Sequence, residues 1–185
     1  MNFKLVRVAG LMVALAFLSA CSMFTPEAPD RLMLGLSPTN ELGYEIDAGG
    51  IVTIKTRELV LSTKAGMPQT NVTGYRIEYF DQFDFLVGST TLEPQSLSIT
   101  VPAGIVCDEP NPVVGCTSFS AGARPGPGMA VDVPGLGDQL LNADIAIANA
   151  AAGSPTGWYA VLTLYYNNGR GSFAEDYTLY IVAPN

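Results

Sequence analysis

The sequence predicts an all-β domain, two antiparallel sheets packed face to face as a sandwich, and three observations predict it. Val72 to Phe80, "VTGYRIEYF", alternates strictly: Tyr75, Ile77 and Tyr79 share one face, Arg76 and Glu78 the other, the period of a half-buried strand. Gly157 to Val182 is two long aromatic and β-branched runs about Asn168-Gly169. Asn-Gly supplies the two positive-φ residues of a tight type I′ hairpin. Seven such short runs recur along the chain with turn residues between them, the pattern of a sandwich.

Taken in order, Arg31 to Leu36 is the first short apolar run. Ile51 to Leu61 opens in alternation, with Val52 and Ile54 on one side and Thr53 and Lys55 on the other. It continues as Leu59, Val60 and Leu61, so a bulge or bend is expected near Arg57. After the strand at 72–80 come "DFLVGSTT" and "LSITV"; in the latter Leu97, Ile99 and Val101 point inward against Ser98 and Thr100. In the sixth run Trp158, Ala160, Leu162 and Leu164 make one apolar face. Tyr159 and Val161 make the other face partly apolar too, which places that strand mid-sheet.

Residues 102–152 are a long insertion between the fifth and sixth runs, and irregular insertions of that length are usually functional or disordered. The insertion holds two cysteines, then a turn-rich stretch in which "MAVDV" is a candidate short strand, then "DQLLNADIAIANAAAG". Asp138 as N-cap, good helix formers and Gly153 as a stop predict one short helix there. The alternation in "ADIAIAN" leaves a strand as the second reading.

The chain has 185 residues, 48% hydrophobic and 14% charged, with a net charge of −8 and no histidine. At the amino end, Lys4 and Arg7 precede an apolar stretch from Val8 to Leu18, expected to be helical. That stretch is too short for a hydrocarbon core that needs about twenty residues, and it has the form of a secretory signal. It stops at Leu18-Ser19-Ala20-Cys21, which resembles the lipobox of bacterial lipoproteins. The resemblance implies a diacylglycerol on the Cys21 thiol, cleavage after Ala20 and acylation of the new amino group. One acyl chain anchors a protein only marginally, whereas two or more hold it firmly. Ser22, in place of the aspartate that retains enterobacterial lipoproteins at the inner membrane, points to the outer membrane.

The expected organisation is a signal peptide at 1–20, lipidated cysteine and tether at 21–30, and one β-domain at 31–185. All 17 acidic residues lie beyond Ala20 and two of the nine basic ones before it, so the mature charge is −10. Such a surface argues against nucleic acid and against electrostatic docking on anionic lipid; the membrane is reached through the acyl groups. Cys107 and Cys116 are an even pair in an exported chain, so a disulfide is the default, worth roughly 2–3 kcal/mol for so small a loop. A metal site is the alternative, but two thiols without histidine are too few soft ligands.

Two stretches carry a second resemblance. "VTGYRIEYFD" is similar to the third strand, and "SPTGWYAVLTLYYNNGRGS" to the sixth strand and following hairpin, of immunoglobulin-like and fibronectin type III-like domains. The resemblance implies a tyrosine-corner role for Tyr159, or for Trp158, and it lacks the paired inter-sheet cysteines of antibody domains.

Without histidine, Ser-His-Asp and Cys-His nucleophile systems are excluded within this polypeptide. Ser62-Thr63-Lys64 lacks the Ser-x-x-Lys spacing, and no glycine loop precedes a helix to cradle phosphate. Asp81 with Asp84, and Asp108 with Glu109, are the carboxylate pairs; the first reads as hairpin-turn chemistry. No metal or cofactor is expected. Phe83 and Phe85, or Tyr165 and Tyr166 with Tyr177 and Tyr180, are the candidate binding surface, weighed against ordinary cross-strand pairing. The expected role is a non-enzymatic, lipid-anchored envelope module contacting a protein partner in an outer-membrane or surface assembly. The alternatives are carbohydrate or peptidoglycan binding and, last, carboxylate catalysis.

Overall fold

Period-2 alternation is strongest at 72–80 and 158–182, and those residues form the central strands. The structure, a computed structural model, describes residues 31–89, 94–104, 124–131 and 140–182. The signal segment, Cys21, the tether, Cys107, Cys116, Asp108, Glu109 and Asp138 lie outside the described residues. The elements are β1 (Met33–Ser37), β2 (Leu42–Ile46), β3 (Val52–Lys55), β4 (Glu58–Ser62), β5 (Thr70–Phe80), β6 (Leu86–Ser89), β7 (Gln95–Val101), β8 (Met129–Val131), α1 (Ala143–Ala151), β9 (Tyr159–Asn167) and β10 (Ser172–Val182).

The protein is mostly β, in two sheets. The larger runs β3-β2-β10-β9-β5-β6, with β7 also pairing β5; the smaller is β1-β4-β8. Strand β9 lies between β10 and β5, so the mid-sheet position expected from its two apolar faces is observed. Ile77, Leu162 and Tyr177 form one cross-strand row on the inner face. Tyr75, Ile77, Tyr79, Ala160, Leu162 and Leu164 are all buried, while Arg76 and Glu78 stay half-exposed and pair at 3.1 Å. Inner-face residues of the large sheet and Leu36, Leu59 and Leu61 of the small one belong to a single core cluster.

The structure corrects the sequence reading in five places. The larger sheet is mixed, because β2 pairs in parallel with β10 through Leu42 with Ile181 and Gly43 with Val182. Strand β2 itself was not expected. The run from Ile51 to Leu61 does bend near Arg57 as expected, but the bend divides it into two strands of different sheets: the chain leaves the large sheet after Lys55 and enters the small one at Glu58. The β9–β10 turn is centred one residue later than a type I′ Asn-Gly turn, since Asn168 N–H donates to Gly171 O at 3.3 Å. Its single positive φ falls on Gly169, at 77°, the first central position, where a type II′ turn places glycine. The insertion's last segment is the expected helix, but it starts later than an Asp138 cap implies, at Ala143, with Asn142 as N-cap accepting from Asp144 N–H at 2.7 Å. The expected stop at Gly153 is observed, with φ at 86°.

Helix α1 closes the inner side of the curled sheet. It packs on β3, one edge strand, and Ile145 reaches Gly88 of β6, the other edge. A Cβ at Gly88 would stand 2.9 Å from Ile145 Cδ1, so a larger residue there would make the end of that side chain shift. Two buried tyrosines hold its ends. Asn142 N–H donates to Tyr79 Oη at 3.2 Å, and Tyr44 Oη donates to Asn149 Oδ1 at 2.6 Å. Asn149, 1% exposed, also donates to Pro155 O at 3.4 Å, so its amide is satisfied on both sides.

Candidate functional site

Strands β2, β5 and β10 run in one direction, because β10 is parallel to β2 and both β5 and β10 are antiparallel to β9. The turns after β2 and after β5 therefore leave from the same end of the sheet. They are built alike. Asp47 Oδ1 accepts from Gly49 N–H and Ile51 N–H, both at 2.8 Å, and Asp81 Oδ1 accepts from Phe83 N–H at 2.8 Å and Phe85 N–H at 2.9 Å. In each, the aspartate N–H donates to the carbonyl four residues on, at 3.0 Å. The fourth residue has positive φ in both: Gly50 at 82° and Asp84 at 63°. Aspartate suits the first place because its carboxylate satisfies turn N–H groups that would otherwise face water.

The β5–β6 turn has further ties. Trp158 Nε1–H donates to Gln82 Oε1 at 2.6 Å and Tyr159 Oη donates to Asp84 Oδ1 at 2.9 Å. The bond to Asp84 holds the Tyr159 phenol above its ordinary pKa, since ionisation would break it and set two negative charges together. The loop is thus fixed by its own backbone and by β9, yet Phe83 is 68% and Phe85 69% exposed. Leu86 beside them is 58% exposed. Loss of the turn carboxylate in Asp81→Ala is expected to cost about 1 kcal/mol, discounted for its partial exposure, as a lower urea midpoint. Asp47→Ala should cost about the same, because the two turns make the same bonds; a neutral effect at both would refute this account of the turns.

Next to the loop, Phe80, Tyr159 and Tyr180 form one row across β5, β9 and β10 on the outer face. The Phe80 and Tyr159 rings stack, with centroids 5.2 Å apart and planes 16° apart; Tyr159 and Tyr180 are tilted at 6.3 Å. Phe83, Phe85, Leu86 and Tyr180 are the exposed apolar members of this rim. No lysine or arginine occurs in residues 42–51, 81–89, 157–161 or 178–182, whereas Glu45, Asp47, Asp81 and Asp84 do.

Of the expected surface residues, the structure groups Phe83 and Phe85 with Tyr180 at the rim. Tyr165, Tyr166, Tyr177 and Tyr180 do not form one platform. Tyr166 is a core residue, 1% exposed and stacked on Phe173 at 5.4 Å. Tyr177 also faces inward, with its hydroxyl 2.8 Å from Leu32 O and 2.9 Å from Glu175 Oε2. Burial and the Glu175 carboxylate raise its phenol well above the ordinary range. Tyr165 is on the outer face, opposite Gly74 and Ala174, away from the Tyr159 row. Tyr165 and Tyr166 are neighbours on one strand and must point to opposite faces; so must Tyr177 and Tyr180, three apart. Phe80 and Leu86 are not among the expected surface residues, and Tyr159 was expected only as a tyrosine corner; for Phe80 and Leu86 the signal was their place on either side of the Asp81 turn.

The tyrosine-corner assignment is corrected as well. Tyr159 bonds the side chain of Asp84, and Trp158 that of Gln82, rather than a backbone group a few residues upstream. A shallow depression of about 300 Å³ lies beside Arg31, Leu34, Asn40 and Tyr177. Its only cation is engaged: Arg31 donates to Asp176 O at 2.8 Å, lies 3.8 Å from Glu175, and sits over the Tyr177 ring. Among the described residues no three cysteine or carboxylate side chains converge as a metal site would need, and no helix is long and apolar enough to cross a membrane. Comparison with known proteins finds no family model that matches the chain and no curated protein similar to it.

Proposed function

We propose that this chain is a non-enzymatic, lipid-anchored module of the bacterial cell envelope, held at the outer membrane by acyl groups on Cys21, whose β-domain docks a protein partner through the rim of Phe83, Phe85, Leu86 and Tyr180. The observation that carries the docking reading is the rigid display of two exposed phenylalanines. An apolar side chain left in water on a fixed loop is available for burial, worth about 1.5–3 kcal/mol when complete. Because the loop is already ordered, little conformational entropy is lost when a partner covers it. The lipobox-like Leu18-Ser19-Ala20-Cys21 supports the anchor.

An immunoglobulin-like sandwich is the finer reading of the fold. Supporting it, β10-β9-β5-β6 has the order of the G-F-C-C′ strands, and β1-β4-β8 that of A-B-E. On that reading β5 and β9 are the third and sixth strands, the two stretches whose sequences resemble them.

Carbohydrate binding is the second reading, favoured by the free ring faces of Phe83 and Phe85. A sugar also needs polar partners for its hydroxyls, and although Asp81, Gln82 and Asp84 each accept one bond from the protein, their other oxygens and the Gln82 amide remain to offer them. Phe80 and Tyr159, however, turn ring faces toward each other, which leaves less stacking surface and favours a protein.

Mass spectrometry of the native protein should find Cys21 as the acylated first residue. A photoreactive residue at position 83 in intact cells should give a discrete protein adduct that the same residue at Arg170, at the opposite end of the sheet, does not. Equal adducts at both positions, or none together with retention on a glycan array, would refute protein docking.

A further inference from the structure

We infer that the β2–β3 and β5–β6 hairpins act together, as one docking surface for a protein face that is both apolar and cationic. The inference rests on the docking reading above and names the partner's chemistry. Both tips leave the same end of the large sheet, and both use the same aspartate turn. Exposed apolar residues flank each: Ile46 and Ile51 at one, Phe83 and Phe85 at the other. The hairpins belong to opposite edges of the sheet, but α1 bridges them. Asn142 bonds Tyr79 of β5 and Asn149 bonds Tyr44 of β2, and seven residues along a helix is about 10 Å. A standard docking patch of about 800 Å² per partner is wide enough to cover both.

Charge selects the occupant. Asp47, Asp81 and Asp84 stand at the two tips, and among the described residues Lys55, the basic residue of the β2–β3 hairpin, is paired with Glu45 at 3.0 Å. A second copy of this chain would set these carboxylates against each other, and an anionic lipid surface would be repelled. A partner with lysine or arginine around an aliphatic centre gains both burial and steering.

The test uses the full lipidated chain in a neutral detergent, with two synthetic peptides as probes: a leucine-lysine amphipathic peptide and its leucine-glutamate counterpart. Binding is followed by fluorescence anisotropy and mapped by NMR. The lysine peptide should bind, weaken with salt and shift signals of Ile46, Ile51, Phe83 and Phe85. Asp47→Asn and Asp81→Asn keep the turn acceptor and remove the charge; each should weaken binding about threefold, and Ile51→Ser about tenfold. Equal binding of the glutamate peptide, or no binding of either at millimolar concentration, overturns the proposal. If Phe83→Ser abolishes binding while Ile51→Ser and Asp47→Asn do nothing, the joint surface is wrong and single-hairpin docking survives. If none of these variants matters, both fall.

Discussion

Leu162→Ala is expected to lower the stability of the domain by about 2–5 kcal/mol, the range for truncating a buried leucine. Leu162 is fully buried at the centre of the large sheet, with Ile77 on one side and Tyr177 on the other in the same row. Removing it leaves a cavity under a three-strand row that backbone pairing prevents from collapsing. Val161→Ala, one residue earlier on the outer face between Glu78 and Thr178, should cost less than about 1.5 kcal/mol. Trp158, the single tryptophan, is buried and bonded to Gln82, so its fluorescence reports unfolding in urea. Equal losses for the two variants would refute the assignment of faces in β9.

Above pH 10 the domain is expected to lose stability through Tyr79. Burial pushes its phenol up from 10.0 to about 12, and the neighbouring Tyr75 adds to this, while the bond from Asn142 N–H opposes it. The folded state therefore holds the proton more tightly than the unfolded chain. Below pH 10 the contribution is fully present; between pH 10 and about 12 the unfolded state releases its proton first and stability falls. The loss is on the order of 2–3 kcal/mol at 1.36 kcal/mol per pH unit. Tyr79→Phe should cost about 1 kcal/mol at neutral pH, because the Asn142 N–H at the start of α1 loses its acceptor. The variant's alkaline slope should be shallower by the Tyr79 share, measured as urea midpoints from pH 8 to 12. Parallel slopes for the two proteins would show that Tyr79 titrates as in the unfolded chain.

Both outcomes turn on which face a residue occupies, and that much is written in the chain. Tyr75, Ile77 and Tyr79 are inward because successive side chains in a strand point to opposite sides, and the same parity divides the tyrosines of β9 and β10. The Asp81 turn and the stop at Gly153 were legible for a like reason: each depends on residues within one turn of itself. Local sequence misplaced the helix start because Asp138 and Asn142 are both competent caps, and the bond to Tyr79 lies far away along the chain.

The sequence by itself determined the alternating faces, the mostly β character and the Asp81 turn, since these follow from backbone geometry over a few residues. Only the tertiary structure decided the parallel pairing of β2 with β10, the passage of the chain between sheets at Thr56 and Arg57, and the joining of two like hairpins at one end. Those are long-range choices, fixed by which apolar faces can be buried together, and no local period encodes them.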